Sequence, residues 1–164
     1  MVKKNACIFI SGQGSNLKAL INNSRDKSFP IKISLLICDN ANAKGLLYEK
    51  KNTIPYVIIN TKKRNFENTI LYELRKHKIS LICLAGYMKI ISKKFIKDCG
   101  KKIINIHPSL LPKYKGLNTF ERVIKNSEKK TGCTVHFVNE KLDSGKMIIQ
   151  KSFFINKNDK ENIL

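Results

Sequence analysis

A chain of 164 residues with 42% hydrophobic composition suits one packed domain burying about 70% of its unfolded surface, and no apolar run approaches the roughly 20 residues of a membrane span. The formal charge of +20 invites a nucleic-acid surface, but only four of the 32 basic residues are arginines (Arg25, Arg64, Arg75, Arg122), lysine runs never exceed two, and no aromatic ladder lies among them. The pattern favours a solvated basic surface that attracts small anions, with neither nucleic acid nor membrane as partner. The start, Met1-Val2-Lys3-Lys4-Asn5, leads into a short apolar run without a small-residue cleavage site, which argues against a signal peptide. The cysteines (Cys7, Cys38, Cys83, Cys99, Cys133) are odd in number and form no CxxC pair; Cys7, Cys38 and Cys83 sit in apolar runs, where a thiol behaves as a small hydrophobe. We expect a reduced, cytoplasmic protein without zinc site or disulfide framework.

In chain order, Ala6 to Ile10 reads as a buried strand running into Ser11-Gly12-Gln13-Gly14-Ser15-Asn16, with Leu17, Ala19, Leu20 and Ile21 following at helical spacing. Gly12 and Gly14 permit positive φ and close backbone approach, Ser15 is placed to cap the helix, and free N–H groups at a helix start can cradle a phosphate. The dinucleotide fingerprint GxGxxG fails at its third position, which is Leu17, and the Walker A lysine is absent, so a phosphate monoester fits better than a dinucleotide or triphosphate. A second strand over 33–38, a helix over about 43–51, a third strand over 54–59, a basic loop at Thr61 to Asn65 and a helix from Phe66 to His77 follow. A fourth strand over 81–85 leads through Gly86-Tyr87-Met88 to a short helix from Ser92 that Gly100 ends. His77, among lysines at a helix end, reads as solvated and idle.

The stretch Ile103-Ile104-Asn105-Ile106-His107-Pro108 reads as a fifth strand closed by a proline that cannot donate to a sheet ladder. Alternation puts Asn105 and His107 on one face, at the carboxyl end where open α/β sheets hold ligands. Taken alone, the pair reads as a core histidine beside a turn asparagine or as a catalytic pair. A helix over 119–127 comes next. The strand Cys133 to Val138 carries Thr134, His136 and Val138 on one side and is expected to run antiparallel. A turn through Asp143 and Gly145, a last strand over 147–155 and a helix beginning near Asn158 complete the chain. Asp143 alone is an ordinary turn residue; His136 reads as a support for a site or as a satisfied strand histidine. Strands alternating with helices predict an α/β fold, a doubly wound and mostly parallel sheet of Rossmann-like type with an antiparallel C-terminal portion.

Three segments converge on a family. Ile10-Ser11-Gly12-Gln13-Gly14-Ser15-Asn16-Leu17, Asn105-Ile106-His107-Pro108-Ser109-Leu110-Leu111-Pro112, and Gly132-Cys133-Thr134-Val135-His136-Phe137-Val138 with Leu142-Asp143-Ser144-Gly145 resemble the folate-dependent phosphoribosylglycinamide formyltransferase family, in register from about residue 6 onward. The resemblance implies formyl transfer from 10-formyltetrahydrofolate to the amine of phosphoribosylglycinamide in purine biosynthesis, by one formyltransferase domain over residues 1–164 with no metal. It implies that Asn105 donates its amide N–H to the developing oxyanion, that His107 moves the proton, and that Asp143 orients the imidazole or a bound water. Gly14, Ser15 and Asn16 match the family's phosphate and ribose contacts. Met88, Lys89, Ile90 and Ile91 match its pterin-binding segment, with Asn105 also against the folate, and Lys63 or Arg64 would meet the folate's anionic tail. Lys89 stands where an arginine is usual, and Asn118 replaces a common histidine, for which there is no functional account. Family members continue for another helix or two, with an acidic residue that contacts the substrate amine, so the chain reads as C-terminally short, its helical end missing. The implied partners are small molecules, and the expected assembly is a monomer or weak homodimer. A formyltetrahydrofolate hydrolase shares the Asn, His and Asp set but adds an N-terminal regulatory domain, and a transfer-RNA formyltransferase adds a C-terminal RNA-binding one. A basic nucleic-acid-binding module would rest on the charge alone.

Overall fold

A computed structural model describes residues 2–48 and 53–156. The chain forms two compact units, Met1–Ile103 and Ile104–Leu164. The first holds the strands β1 (Lys4–Ile10), β2 (Ile31–Cys38), β3 (Tyr56–Ile58) and β4 (Leu81–Leu84), and the helices α1 (Ser15–Ser24), α2 (Phe66–Lys76) and α3 (Lys93–Cys99). Its strands lie in the order β3-β2-β1-β4, and every pair is parallel. Ala6 to Ile10 and Leu35 to Cys38 are buried, as a parallel sheet covered on its faces requires. Apolar stripes dock onto it: Leu17 and Ile21 from α1, Ile70, Leu71 and Leu74 from α2, Phe95 and Cys99 from α3. Phe9 meets Phe95 and Tyr87 edge to face at centroid distances of 6.4 and 5.3 Å.

The order 3-2-1-4 means the chain leaves β1 on one side for β2 and later returns to its other side as β4. That topological switch is where open α/β sheets bind ligands, just beyond the carboxyl ends of the strands. Here those ends are Ser11-Gly12 after β1 and Ala85-Gly86 after β4, joined by a hydrogen bond from Ser11 N to Gly86 O of 3.1 Å.

The second unit is built on β5 (Lys102–His107), whose pairing from Ile104 onward belongs to it, with α4 (Thr119–Lys125), β6 (Lys130–Phe137) and β7 (Met147–Phe154). β5 pairs with β6 and β6 with β7, both antiparallel. The expected mostly parallel sheet with an antiparallel C-terminal portion is therefore what the two units contain.

Local details differ from expectation at several points. The first helix is capped by Gly14, with φ of 78°, and no side chain caps it, so Ser15 is its first residue rather than its cap. Gly12 has no positive φ, and a Cβ there would meet open space; the position that needs glycine in this turn is Gly14. His77 is half-buried, its Nε2 3.5 Å from Glu73 Oε2, rather than free in solvent. The helix expected over about 43–51 begins at 46 and is helical through 48, and 49–51 lie outside the described residues. The helix expected from Asn158 also lies outside them. Burial raises the Cys83 thiol to about 11, so it stays protonated near neutral pH, in keeping with a packing role.

Candidate active site

Register builds the second unit's polar cluster. Antiparallel pairing sets Asn105 opposite His136 and His107 opposite Thr134, and cross-strand partners of this kind have Cβ atoms about 4.5–5.5 Å apart. All four side chains therefore share one face, and Asp143 comes to that face from the β6–β7 turn.

The turn is held from two sides. Phe137 N donates to Lys146 O at 2.9 Å, and a Cβ on Gly145 would collide with the Phe137 carbonyl, so only glycine lets the turn close this tightly. Asp143 has φ of 43°, a left-handed conformation that aspartate tolerates better than most residues. Its carboxylate is almost enclosed. Gly116 N donates to Oδ2 at 2.9 Å, His107 Nδ1 lies 3.4 Å from Oδ2, Asn105 Nδ2 donates to Oδ1 at 3.4 Å, and His136 Nε2 lies 3.6 Å from Oδ1. Burial pushes the Asp143 carboxyl up, but its pairing with His136, the Gly116 N–H and the charges of the two histidines together outweigh it. Asp143 stays below its ordinary 3.8, ionised throughout the neutral range.

His107, 4% exposed, has its other nitrogen 2.8 Å from the Tyr114 carbonyl. A carbonyl only accepts, so Nε2 carries a hydrogen, and both ring nitrogens face acceptors. The Tyr114 carbonyl is fixed by the loop after Pro108. Ser109 Oγ donates to Lys113 O at 2.7 Å, Thr134 Oγ1 donates to Ser109 O at 2.7 Å, and Leu111 N donates to Thr134 Oγ1 at 3.1 Å. At the far end Tyr114 Oη donates to Glu128 Oε1 at 2.8 Å. His136 is raised above its ordinary 6.5 chiefly by pairing with Asp143, against the opposing effect of burial, with further help from the Phe137 carbonyl.

In the first unit the Gly-rich turn is shaped by backbone. A Cβ on Gly14 would stand 2.5 Å from Gly45 Cα, and one on Gly45 would stand 3.2 Å from Gly14 Cα, so the two chains touch as only glycines can. Gly45 N donates to Gly12 O at 3.0 Å. The exposed Ser15 and half-buried Asn16 begin α1, where unpaired N–H groups and the helix dipole favour an anion.

The segment Met88 to Ile91 is a loop exposed at Met88, Lys89 and Ile90 (80%) and half-buried at Ile91, and it is anchored at both ends. Met88 N donates to Ser11 Oγ at 2.8 Å, so that N–H already has a partner. Lys89 Nζ lies 4.0 Å from the buried carboxylate of Asp39. At the other end Ser92 donates its N–H and hydroxyl to Glu67 at 3.0 and 2.6 Å. Lys63 and Arg64 are exposed on the loop before α2. Asn118 is the left-handed N-cap of α4, its carbonyl accepting from Arg122 N at 3.1 Å.

The structure thus gathers Asn105, His107 and Asp143 in the second unit, and joins the Gly-rich turn to the 88–91 loop through Ser11 in the first. Sequence reasoning missed Gly45, Asp39 and Glu67, whose partners are remote in sequence, and the Tyr114 carbonyl, which carries no side-chain signal. It left His136 open, though the alternation of β6 marked the face that residue shares with Thr134.

The family model for formyl transferases matches residues 4–164. The chain is 42% identical over 153 residues to the phosphoribosylglycinamide formyltransferase of Haemophilus influenzae, covering 90% of this chain and 71% of that protein. It is 37% identical over 160 residues to the one of Bacillus subtilis, covering 95% and 82%. The crystal structure of phosphoribosylglycinamide formyltransferase from Anaplasma phagocytophilum superposes with a TM-score of 0.93 at 40% identity, over 99% of this chain and 77% of that one. With the switch-point turn and the Asn, His and Asp cluster both in place, the chain belongs to the phosphoribosylglycinamide formyltransferase family.

Proposed function

We propose that this chain transfers a formyl group from 10-formyltetrahydrofolate to the amine of 5'-phosphoribosylglycinamide, with Asn105, His107 and Asp143 as the catalytic residues. Family membership makes it an enzyme of formyl transfer in purine biosynthesis, acting on small molecules; the residue roles are our reading. The observation that carries them is the enclosed Asp143 carboxylate, shared between Asn105 on one oxygen and His107 on the other.

Amine attack on a formyl carbon makes an oxyanion, frees a proton from the amine and requires one at the departing nitrogen. Asn105 Nδ2 is a donor for that oxyanion, exchanging its long 3.4 Å bond to Asp143 for a shorter one. His107 takes up the amine's proton at Nδ1, beside Asp143 Oδ2, and gives it to the departing nitrogen, while its Nε2–H stays on the Tyr114 carbonyl and keeps the imidazole in place. Asp143 provides the negative charge that makes this proton transfer favourable without leaving its own ionised state.

The Gly14, Ser15 and Asn16 turn is assigned to the substrate's phosphate, in line with its donor-rich helix start. Met88, Lys89, Ile90 and Ile91 are assigned to the pterin, as a loop with exposed apolar side chains and tethered ends suits a flat heterocycle. Lys63 and Arg64 are assigned to the folate's anionic tail. 10-Formyltetrahydrofolate supplies the formyl carbon, and no metal is called on. The reading extends to one formyltransferase domain working in the cytoplasm as a monomer or weak homodimer.

The test is a formyl-transfer assay with glycinamide ribotide and 10-formyltetrahydrofolate. We expect turnover by the wild type, and a fall of about 10²–10⁴-fold in kcat for Asn105→Ala, His107→Ala and Asp143→Ala with folding intact. Wild-type kcat in any one of them removes that residue from the mechanism.

A further inference from the structure

We propose that His136 is a positioning residue that fixes which end of the Asn105 amide faces the reacting carbon. The inference rests on Asn105 acting as proposed above. His136 is 2% exposed, and its Nδ1 lies 2.9 Å from the carbonyl of Phe137. Because a carbonyl can only accept, Nδ1 carries the hydrogen, and in the neutral ring Nε2 is left as a lone-pair acceptor. Asn105 Nδ2 lies 3.3 Å from that Nε2. A lone pair there accepts from the NH₂ end of the amide and repels the carbonyl end. The neutral ring is the form that makes this choice; the protonated ring instead donates from Nε2 to Asp143 Oδ1, 3.6 Å away.

The consequence lies in the two hydrogens of Nδ2. One is held by His136, and the other points toward Asp143 Oδ1 over a long 3.4 Å, which leaves it the hydrogen to give to an oxyanion. Without His136 only the long 3.4 Å contact to Asp143 Oδ1 holds the NH₂ end in place, and that is the contact given up to the oxyanion. Turned round, the amide would set Oδ1 toward a developing negative charge, and a donor would become a source of repulsion. An asparagine amide is otherwise free to rotate between these states, so something must decide it.

Two features of the backbone support the assignment. Asn105 and His136 are direct partners in the β5–β6 ladder, so their distance is set by sheet geometry and not by flexible loops. The β6–β7 pairing also slips between Val135 and His136, with Ile148 as the extra residue, and irregularities of this kind re-aim side chains beside active sites.

The test is a double-mutant cycle on the full chain, in the same assay. For His136→Phe we expect kcat to fall about tenfold or more while KM for each substrate changes less than threefold. If His136 acts through Asn105, the Asn105→Ala/His136→Phe double variant loses no more than Asn105→Ala alone. His136→Gln, whose Oε1 reaches as an acceptor, should recover most of the lost kcat. Losses that simply add would overturn the proposal, as would full kcat in His136→Phe. Should His136→Phe not fold, His136→Gln and His136→Asn carry the test: the shorter Asn should be clearly slower than Gln, and equal rates sink the idea. Wild-type kcat in Asn105→Ala would instead strike at the parent reading, a result distinct from all of these.

Discussion

The Gly-rich turn of the first unit and the polar cluster of the second do related work with opposite materials. The turn is backbone against backbone, Gly14 on Gly45, and its shape depends on side chains being absent. The cluster is side chain on side chain, with Asp143 enclosed by two histidines, an amide and a backbone N–H, and its shape depends on strand register. A site made of missing atoms breaks when atoms are added. A site made of shared hydrogen bonds breaks when one partner or one charge is removed.

The largest expected effect strikes the cluster. Asp143→Asn keeps the volume but removes the charge that holds His107, and should lower kcat about 10³-fold with KM for both substrates little changed, as steady-state kinetics will read. Next, Gly145→Val drives a side chain into the Phe137 carbonyl and displaces the turn that carries Asp143, so kcat should drop about 10–100-fold. Gly14→Val adds atoms to the turn instead. It should raise KM for the ribotide about tenfold, leave KM for the folate nearly unchanged, and cost about 1–3 kcal/mol in denaturant unfolding, from the strained positive φ and the Gly45 collision. If Gly14→Val lowered kcat and Asp143→Asn raised KM, the contrast between the two regions would be reversed.

Smaller effects sharpen it. Glu67→Gln weakens the hold on Ser92 at the end of the 88–91 loop and should raise KM for the folate by about threefold, without touching the ribotide's. The smallest is a pH signature in stability. His136 is raised in the folded state, so its contribution is full below 6.5 and fades as pH rises through the folded value. Asp143 is lowered, so its contribution is present above 3.8 and fades as pH falls through its folded value. Wild type minus His136→Gln stability, from melts across pH, should therefore be greatest between 3.8 and 6.5 and shrink above that window. A difference that is flat with pH would uncouple His136 from Asp143.

Much of this was legible in the chain. Apolar runs alternating with amphipathic stretches gave the parallel unit, and Pro108 placed the end of β5 at His107, where it is found. Gly100 and Ser92 bounded α3 as expected, Ser92 Oγ accepting from Phe95 N at 2.9 Å. Asn105, His107 and Asp143 were named from motif, and they meet. Ser15 reads as the cap because a serine beside a helix start is a good cap by type, whereas the cap is Gly14, with a left-handed φ and a close approach to Gly45 that no periodicity reveals. His77 reads as an idle surface group in the sequence because its i−4 partner, Glu73, matters only once the helix half-buries both side chains.

The sequence by itself determined the strand and helix alternation and the polar face of β5, since these follow from periodicity, while formyl transfer was implied by the resemblance of its motifs to a family. Only the tertiary structure decided which polar groups meet: His136 opposite Asn105, Asp39 beside Lys89, Glu67 under Ser92, and the Tyr114 carbonyl on His107. The first is set by strand register, where a slip of one residue would turn the side chain to the opposite face, and the others by the packing of loops and helix ends.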